Sequence, residues 1–319
     1  MGTKSIDRDD SKRLMVFAGT SSKALGARIA DRLGIELGEV VIQRFQDGEI
    51  YVRFEESIRG ADIFLVQSTS TPVNESLMEL LIMINAAKLA SAHRITAVVP
   101  WYGYSRQDKK SSPREPITAR LVAQLLEASG VDRVLTMDLH AGQIQGFFQI
   151  PVDHMTATPI LADHFMERNF AQDFPEGLVV VSPDAGRAKL ANHFAEKLGA
   201  RLAVLAKQRP EHNEAEITFL IGDVDGKAAL LIDDMIDTAG TLCAGAAVVK
   251  KAGATKVLAA ATHGIFSGKA FDRLADSVIE EIVVTDTIPL PEGEDAGGKI
   301  QVLSVDRILA DTIHNVFCD

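Results

Sequence analysis

Seven short, nearly continuous apolar runs recur along the chain, each ending in a polar turn and followed by a helical pattern: LMVFAG (14–19), DIFLVQS (62–68), ITAVVPW (95–101), RVLTMDLH (133–140), GLVVVSPD (177–184), AALLIDD (228–234) and KVLAAATH (256–263). A strand that is apolar at successive positions has to be covered on both faces, and helices between such strands make right-handed parallel crossovers. The fold class is therefore α/β, with mainly parallel sheets flanked by helices. Ligands of such sheets bind at the carboxyl ends of the strands, where the polar residues of these runs collect.

The 319 residues fit two domains of ordinary size. Two strands follow one plan: RVLTMDLHAGQ and AALLIDDMIDTAGT each run into acidic residues and then a small-residue turn. A duplicated domain with a boundary near Pro151–Pro159 is expected, with a single large sheet as the alternative. The expected layout is a solvated tail over 1–13, a first domain over 14–155 and a second over 156–302. The segment VNESLMELLIMINAAKLASAH (73–93) is apolar almost all round from Leu77 to Ile84, so its helix is either sandwiched in a core or placed at a subunit contact.

Composition narrows the function classes. Hydrophobic residues at 46% and charged residues at 24% describe a soluble globular protein, and no apolar run reaches the roughly 18–20 residues of a membrane span. The opening MGTKSIDRDDSKR lacks the apolar core of a signal peptide, and Cys243 and Cys318 show no ligand spacing, so the cytoplasm is expected. A net charge of −11 argues against a nucleic-acid partner. Against that background the basic cluster in WYGYSRQDKKSSPREP (101–116) stands out, with Arg106, Lys109, Lys110 and Arg114.

The stretch LLIDDMIDTAGT (230–241) looks contradictory: Asp233, Asp234 and Asp237 precede Thr238-Ala239-Gly240-Thr241, a turn opening a helix whose free N–H groups invite an anion. A sugar phosphate satisfies both halves. Carboxylates accept from ribose hydroxyls or hold a cation, while the turn donates to the phosphate. Simple helix capping is the plainer alternative, weakened by three acids on one loop.

That stretch resembles the phosphoribosyl-pyrophosphate motif shared by type I phosphoribosyltransferases and ribose-phosphate pyrophosphokinases. Taken with FQDGE (45–49), PVNESLMELLIMINAAK (72–88), YGYSRQD (102–108), SPREPITARL (112–121), MDLHAGQIQGFF (137–148), VVSPDAG (180–186) and GDVDGKAALLIDDMIDTAGT (222–241), the chain over about 14–317 resembles a class I ribose-phosphate pyrophosphokinase. The resemblance implies transfer of the β,γ-diphosphoryl group of MgATP to the 1-hydroxyl of ribose 5-phosphate, two similar α/β domains with the catalytic site between them, and a C-terminal segment (303–319) that returns to the first domain. It also implies a homo-oligomer, generally a hexamer built from dimers.

The resemblance carries over to residues. His140 and Asp184 match magnesium ligands; Phe45, Asp47, Gly48 and Glu49 match a loop that holds adenine; Arg106 and Gln107 match a second ATP-contacting pair. Lys207 and Arg209 match the catalytic Lys-x-Arg, and Arg209 with Asp233, Asp234, Asp237, Thr238, Ala239, Gly240 and Thr241 would bind ribose 5-phosphate. Three expectations come from the residues themselves. Asp138 and His140, two apart at a strand end, should leave on the same face; Lys207 should sit on a polar, mobile loop; and Trp101, Tyr102 and Tyr104 either pack under a loop or stack on a base.

Departures from the family pattern are the short segment SPDAGRAKLA after Asp184, Gln208 where Arg is frequent, and an ending at VFCD without a Ser-rich tail, from which weaker phosphate activation and ADP inhibition are expected. A nucleobase phosphoribosyltransferase and a non-catalytic regulatory homologue are the competing readings. The first leaves FQDGE, SRQD and Lys207-x-Arg209 unexplained, and the intact site residues speak against the second. A P-loop kinase is excluded because GxxxxGK[ST] is missing.

Overall fold

The structure is a computed structural model and describes residues 13–168, 173–208 and 217–318. Apart from Arg13, the expected tail lies outside these residues, as does Arg209. The chain divides into two compact units, one of Met1–Thr136, Gln143–Asp153 and Asp306–Asp319, the other of Met137–Gly142 and His154–Val305.

In chain order the first elements are β1 (Leu14–Ala18), α1 (Lys23–Leu33), β2 (Val40–Arg44), β3 (Ile50–Phe54), β4 (Asp62–Val66), α2 (Val73–Leu89), β5 (Arg94–Val99), α3 (Thr118–Ser129), β6 (Arg133–Met137) and β7 (Val152–Met155). There follow α4 (Thr158–Met166), β8 (Leu178–Ser182), α5 (Ala188–Leu198), β9 (Arg201–Gln208), β10 (Ile217–Ile221), β11 (Ala228–Ile236), α6 (Gly240–Lys251), β12 (Lys256–Gly264), α7 (Ala270–Ala275), β13 (Glu281–Thr285), β14 (Ile300–Leu303) and α8 (Asp306–Cys318). All seven apolar runs are strands, as their hydrophobicity demands.

The sheets run β1-β4-β5-β6-β7 and β10-β9-β8-β11-β12-β13-β14. They share one plan. A first strand and its helix lead to an antiparallel pair, β2 with β3 or β9 with β10; the next strand then pairs parallel with the first, β4 on β1 or β11 on β8. Later strands add outward in chain order. The helix after each first strand repeats too: KALGARIADRL and AKLANHFAEKL both end at a glycine with left-handed φ, +69° at Gly34 and +62° at Gly199. Glycine takes that C-terminal position because it has no Cβ to clash. The copies differ at the antiparallel pair, which joins the second sheet through β8 and β9, whereas β2 and β3 form a two-stranded sheet of their own, with Phe54 edge-on to Phe17 of β1 and a bridge from Val16 to Leu37 ahead of β2.

Alternation within the second sheet builds two cores. Val179, Val181, Ala229 and Leu231 face one side with Leu242 and Val249 of α6, while Leu178, Val180, Leu230 and Ile232 face the other with Phe165 of α4 and Phe194 of α5. Each such side chain contributes on the order of 1.5–3 kcal/mol by leaving water. On α2 Leu77, Leu80, Met83 and Ile84 are buried within the unit, as a helix packed in a core requires, whereas Met78 is 51% exposed. The last helix, α8, belongs to the first unit, where Arg32 Nε lies 2.8 Å from Asp306 Oδ2 and Arg94 Nη2 donates to the Val316 carbonyl at 2.8 Å.

One buried carboxylate organises the polar end of the first sheet. Glu79 is 1% exposed; its Oε1 accepts from Thr20 N at 2.7 Å and from Gln67 Nε2 at 2.8 Å, and its Oε2 accepts from Thr20 Oγ1 at 2.8 Å. It thus supplies the anion that the turn between β1 and α1 calls for. A Cβ on Gly19 would meet Gln67 Oε1 at 2.4 Å and Glu79 Oε1 at 2.7 Å, so the turn closes around the carboxylate with no room to spare. Hydrogen bonds to a charged group contribute about 1.5–3 kcal/mol, and removing their acceptor strands buried donors. Glu79→Ala should therefore lower the thermal midpoint by several degrees; a midpoint within a degree of the parent would show the turn does not depend on Glu79.

Candidate active site

The second unit gathers its acidic groups where β11 outruns its neighbour β8. Pairing with β8 stops at Leu231, but pairing with β12 continues to Ile236, so Asp233 and Asp234 lie inside the strand. Side chains at successive positions leave on opposite faces. Asp234 is 7% exposed and Asp233 27%.

Asp234 Oδ2 lies 2.9 Å from His140 Nδ1 and accepts from Arg187 Nη2 at 2.6 Å. Burial alone would raise its pKa, but its close neighbours His140 and Asp233 and the charge of Arg187 outweigh burial and hold it below the usual carboxylate range. Asp233 goes the other way. Burial first, and then the hydrogen bond and charge of Asp234, push it up to about 8. The two neighbours thus divide their roles, one an ionised acceptor and the other able to keep its proton near neutrality.

After Ile236 the chain turns through Asp237, which accepts from Ser267 Oγ, and Thr238, whose carbonyl accepts from Arg273 Nη1 at 2.7 Å. Ala239 takes a left-handed φ of +59° at the N-terminus of α6, a conformation that costs a residue with a Cβ about 1–2 kcal/mol. No side chain caps this helix, so the N–H groups of Gly240, Thr241 and Leu242 open toward whatever the turn holds. Thr238 and Thr241 are exposed beside them.

Asp138 and His140 do not follow strand alternation. β6 ends at Met137 and Asp138 is left-handed, φ +36°, which breaks the period of two. The two side chains instead reach different strands: Asp138 Oδ2 accepts from Thr262 Oγ1 of β12 at 2.6 Å and from Ala157 N at 2.8 Å, while His140 meets Asp234 of β11. His263, fully buried, sets Nε2 3.2 Å from the Asp138 carbonyl and Nδ1 2.9 Å from Thr287 Oγ1. Asp184 Oδ1 accepts from the backbone N of Arg187 at 2.9 Å. His140, Asp184, Asp233 and Asp234 are therefore tied together, with Arg187 as their common partner.

Lys207 is the next-to-last residue of β9 and pairs with Thr218 of β10, which corrects its expected place on a loop: antiparallel pairing carries the strand through it. Arg209 lies outside the described residues.

In the first unit Phe45, Asp47, Gly48 and Glu49 form the tip of the β2–β3 hairpin. Phe45 N donates to the Glu49 carbonyl at 2.9 Å, Glu49 N donates to Asp47 Oδ1 at 3.1 Å, and Gly48 takes φ +95°. The Phe45 ring is 56% exposed and meets Tyr51 edge-on. Arg106 and Gln107 are exposed on a turn in which Gln107 N donates to the Tyr104 carbonyl at 2.9 Å. Both segments lean on the first turn of α2, through Arg44 to Glu75 and through the Tyr104 hydroxyl to Asn74. Trp101 and Tyr102 are buried, and the Tyr102 hydroxyl donates to the Ala119 carbonyl at 2.9 Å, so these two rings pack under the turn.

Residues 14–130 match the N-terminal domain of ribose phosphate pyrophosphokinase, and residues 210–319 match the phosphoribosyl synthetase-associated domain. A ribose-phosphate pyrophosphokinase of Fusobacterium nucleatum is 53% identical over 301 residues, 94% of each chain, and one of Caldanaerobacter subterraneus is 54% identical over 300 residues, 94% of this chain and 93% of the relative. The chain belongs to the ribose-phosphate pyrophosphokinase family. The crystal structure of phosphoribosylpyrophosphate synthetase from Mycobacterium smegmatis superposes with a TM-score of 0.89 at 45% identity, covering 96% of this chain and 99% of that one.

Arg187, Thr262 and His263 escaped the reading of the sequence. Arg187 sits in the departure SPDAGRAKLA and His263 closes the run KVLAAATH, so each was marked by position, but their partners lie far away in sequence.

His154 offers a check on this architecture. Its Nε2 accepts from Leu139 N at 2.9 Å, which requires a neutral ring there, and burial lowers its pKa against the opposing charge of Asp138. A histidine whose folded pKa is depressed contributes stability that is complete above its unfolded value, about 6.5, and is lost as pH falls through it. The advantage in thermal midpoint of the parent over His154→Gln should shrink between pH 7.5 and pH 5.5; a constant difference would mean that His154 does not titrate on unfolding.

Proposed function

We propose that the protein transfers the β,γ-diphosphoryl group of ATP to the 1-hydroxyl of ribose 5-phosphate, giving 5-phosphoribosyl 1-pyrophosphate and AMP, with Mg2+ as cofactor. The observation that carries it is the run from Asp233 to Thr241, in which a carboxylate pair is followed at once by a helix N-terminus without a side-chain cap. Membership of the family supports the same reaction.

Asp234, held ionised, accepts from a ribose hydroxyl, and Asp233, able to keep its proton, both donates and accepts. Asp237 and Thr238 to Thr241 surround the 5-phosphate with N–H and O–H donors. The exposed Phe45 ring offers adenine an apolar face, with Asp47, Gly48 and Glu49 completing that loop, and Arg106 with Gln107 meets the triphosphate. Lys207 and Arg209 stabilise the charge that develops on the transferring oxygens, which is most of what phosphoryl-type transfer asks of a protein.

Among the described residues no three His, Cys, Asp or Glu side chains converge into a metal cage. This suits Mg2+, which keeps water and arrives on phosphates, taking one or two protein ligands. His140 and Asp184 are the residues that would hold it. When bound, it would neutralise charge on the phosphate oxygens.

Among the described residues no helix is long and apolar enough to cross a membrane, and Cys243 and Cys318 are free thiols; both support a cytoplasmic site of action. A homo-oligomer, a hexamer built from dimers, is proposed as well. Its support on this chain is the apolar surface of α2 and α3, where Met78 and Leu121 are each 51% exposed.

Phosphorus NMR of the protein with MgATP and ribose 5-phosphate should show AMP and a 1-pyrophosphorylated sugar; ADP in their place would mean simple kinase chemistry. Lys207→Ala should lower turnover on the order of 10³-fold, because catalytic cations in phosphoryl transfer contribute roughly 10³–10⁵, while the apparent affinities for both substrates change little. Turnover within about tenfold of the parent, equivalent to ~1.4 kcal/mol, would remove Lys207 from the catalytic set.

A further inference from the structure

Arg187 reaches both residues proposed above to face the cation. Its backbone N–H donates to Asp184 Oδ1 at 2.9 Å. Its side chain turns back so that Nη2 lies 2.7 Å from His140 Nδ1 and 2.6 Å from Asp234 Oδ2, with Nη1 3.1 Å from the His140 carbonyl. The guanidinium is 21% exposed and is held on three sides.

A guanidinium nitrogen only donates, so His140 Nδ1 has to accept. A doubly protonated ring would set two cationic donors 2.7 Å apart. The neutral ring therefore carries its proton on Nε2. In that tautomer neither nitrogen can ligate a cation, since Nδ1 is occupied and Nε2 is protonated. Asp234 Oδ2, only 2.9 Å from Nδ1, could instead accept Nδ1–H, but only when Nη2 moves away. That second arrangement frees Nε2 and is the carboxylate–histidine pairing which orients metal-binding imidazoles.

We propose that Arg187 is a positioning residue that controls the tautomer of His140. In place, it keeps His140 unable to bind a cation. Polyphosphate oxygens compete well for a guanidinium. A polyphosphate entering the site draws Arg187 off Nδ1, Asp234 takes Nδ1–H, and Nε2 becomes available to the cation that the polyphosphate carries. The proton moves from Nε2 to Nδ1 through water, and no bond other than these N–H bonds is made or broken. His140 then binds the metal with its nucleotide and poorly without it, which guards the carboxylate pair against free divalent ions. The proposal rests on the assignment of His140 to the cation made above.

Two measurements on the full-length protein test it. Nitrogen-15 NMR of selectively labelled histidine, with the His140 signals identified by their loss in His140→Ala, should show Nε2–H in the parent and Nδ1–H in Arg187→Met, which keeps the apolar stem and removes the donors. Electron paramagnetic resonance of free Mn2+, without nucleotide, should show binding tighter on the order of tenfold in Arg187→Met and Arg187→Ala than in the parent, the scale by which groups around a ligand tune metal affinity. Nδ1–H in the parent would overturn the proposal whether or not the variants fold, and so would Mn2+ binding no tighter in the variants. If adding His140→Ala to Arg187→Met leaves its Mn2+ binding unchanged, the assignment of His140 to the cation falls and the proposal with it. Formation of AMP by the parent tests the reaction separately.

Discussion

A strand covered on both faces can carry charge only where its pairing runs out, and this constraint decides where chemistry can occur in the chain. Along β11 five consecutive residues from Ala228 to Ile232 are buried and apolar. Charge first appears at Asp233, just past the last pairing with β8 at Leu231. Even there Asp234 stays buried, and an unpaired carboxylate in that position would cost several kcal/mol. Arg187 and His140 supply its partners, and the cluster they form follows from that need.

Two turns, one at the polar end of each sheet, answer the same electrostatic preference differently. At the polar end of the first sheet, the turn after β1 closes on Glu79, an anion supplied by the chain itself. At the polar end of the second, the turn after β11 presents acids and an uncapped helix N-terminus. Anions suit a helix N-terminus for the same electrostatic reason at either turn. The turn after β1 satisfies that preference with a side chain of its own unit, whereas the turn after β11 leaves it to a ligand.

How much of this could be read from the sequence depended on whether a feature was local. The apolar runs became strands because near-continuous hydrophobicity has few other uses in a chain of this composition. The acids and small residues of 233–241 could be read because strand end, turn and helix start are contiguous. Half-exposed elements such as β2, β3 and β14 carry weaker patterns and went unnoticed. Lys207 was misplaced because the polar residues after it resemble a loop, while the pairing that keeps it in β9 comes from β10, across a gap in sequence. Strand alternation failed for Asp138 because one left-handed residue cancels it, and what holds that residue, Thr262 and Ala157, is not adjacent in sequence. Arg187 shows the limit most clearly: nothing in SPDAGRAKLA says that its side chain folds back onto His140, 47 residues earlier.

A chain with a net charge of −11 is proposed to hold two polyanionic substrates, so its overall field opposes binding. At physiological ionic strength that field is screened over about 8 Å, and what a phosphate feels is decided by the groups within that distance. The chain meets this locally in two ways. In the first unit, the turn around Arg106 concentrates Lys109, Lys110 and Arg114 on exposed positions; of the two acids there, Asp108 is buried and accepts from Gln143 Nε2 at 2.8 Å, and Glu115 is turned onto the backbone N–H groups of Ser111 and Ser112 at 2.8 Å each. In the second, neutral N–H groups at the start of α6 supply positive potential without adding a cation that the neighbouring Asp233 and Asp234 would neutralise. Backbone dipoles and carboxylates can share one loop because a dipole, unlike a lysine, does not form an ion pair with its neighbour. That difference lets a single turn favour both the hydroxyls and the phosphate of a sugar phosphate, while Arg187 is the one full cation in contact with the carboxylate pair among the described residues.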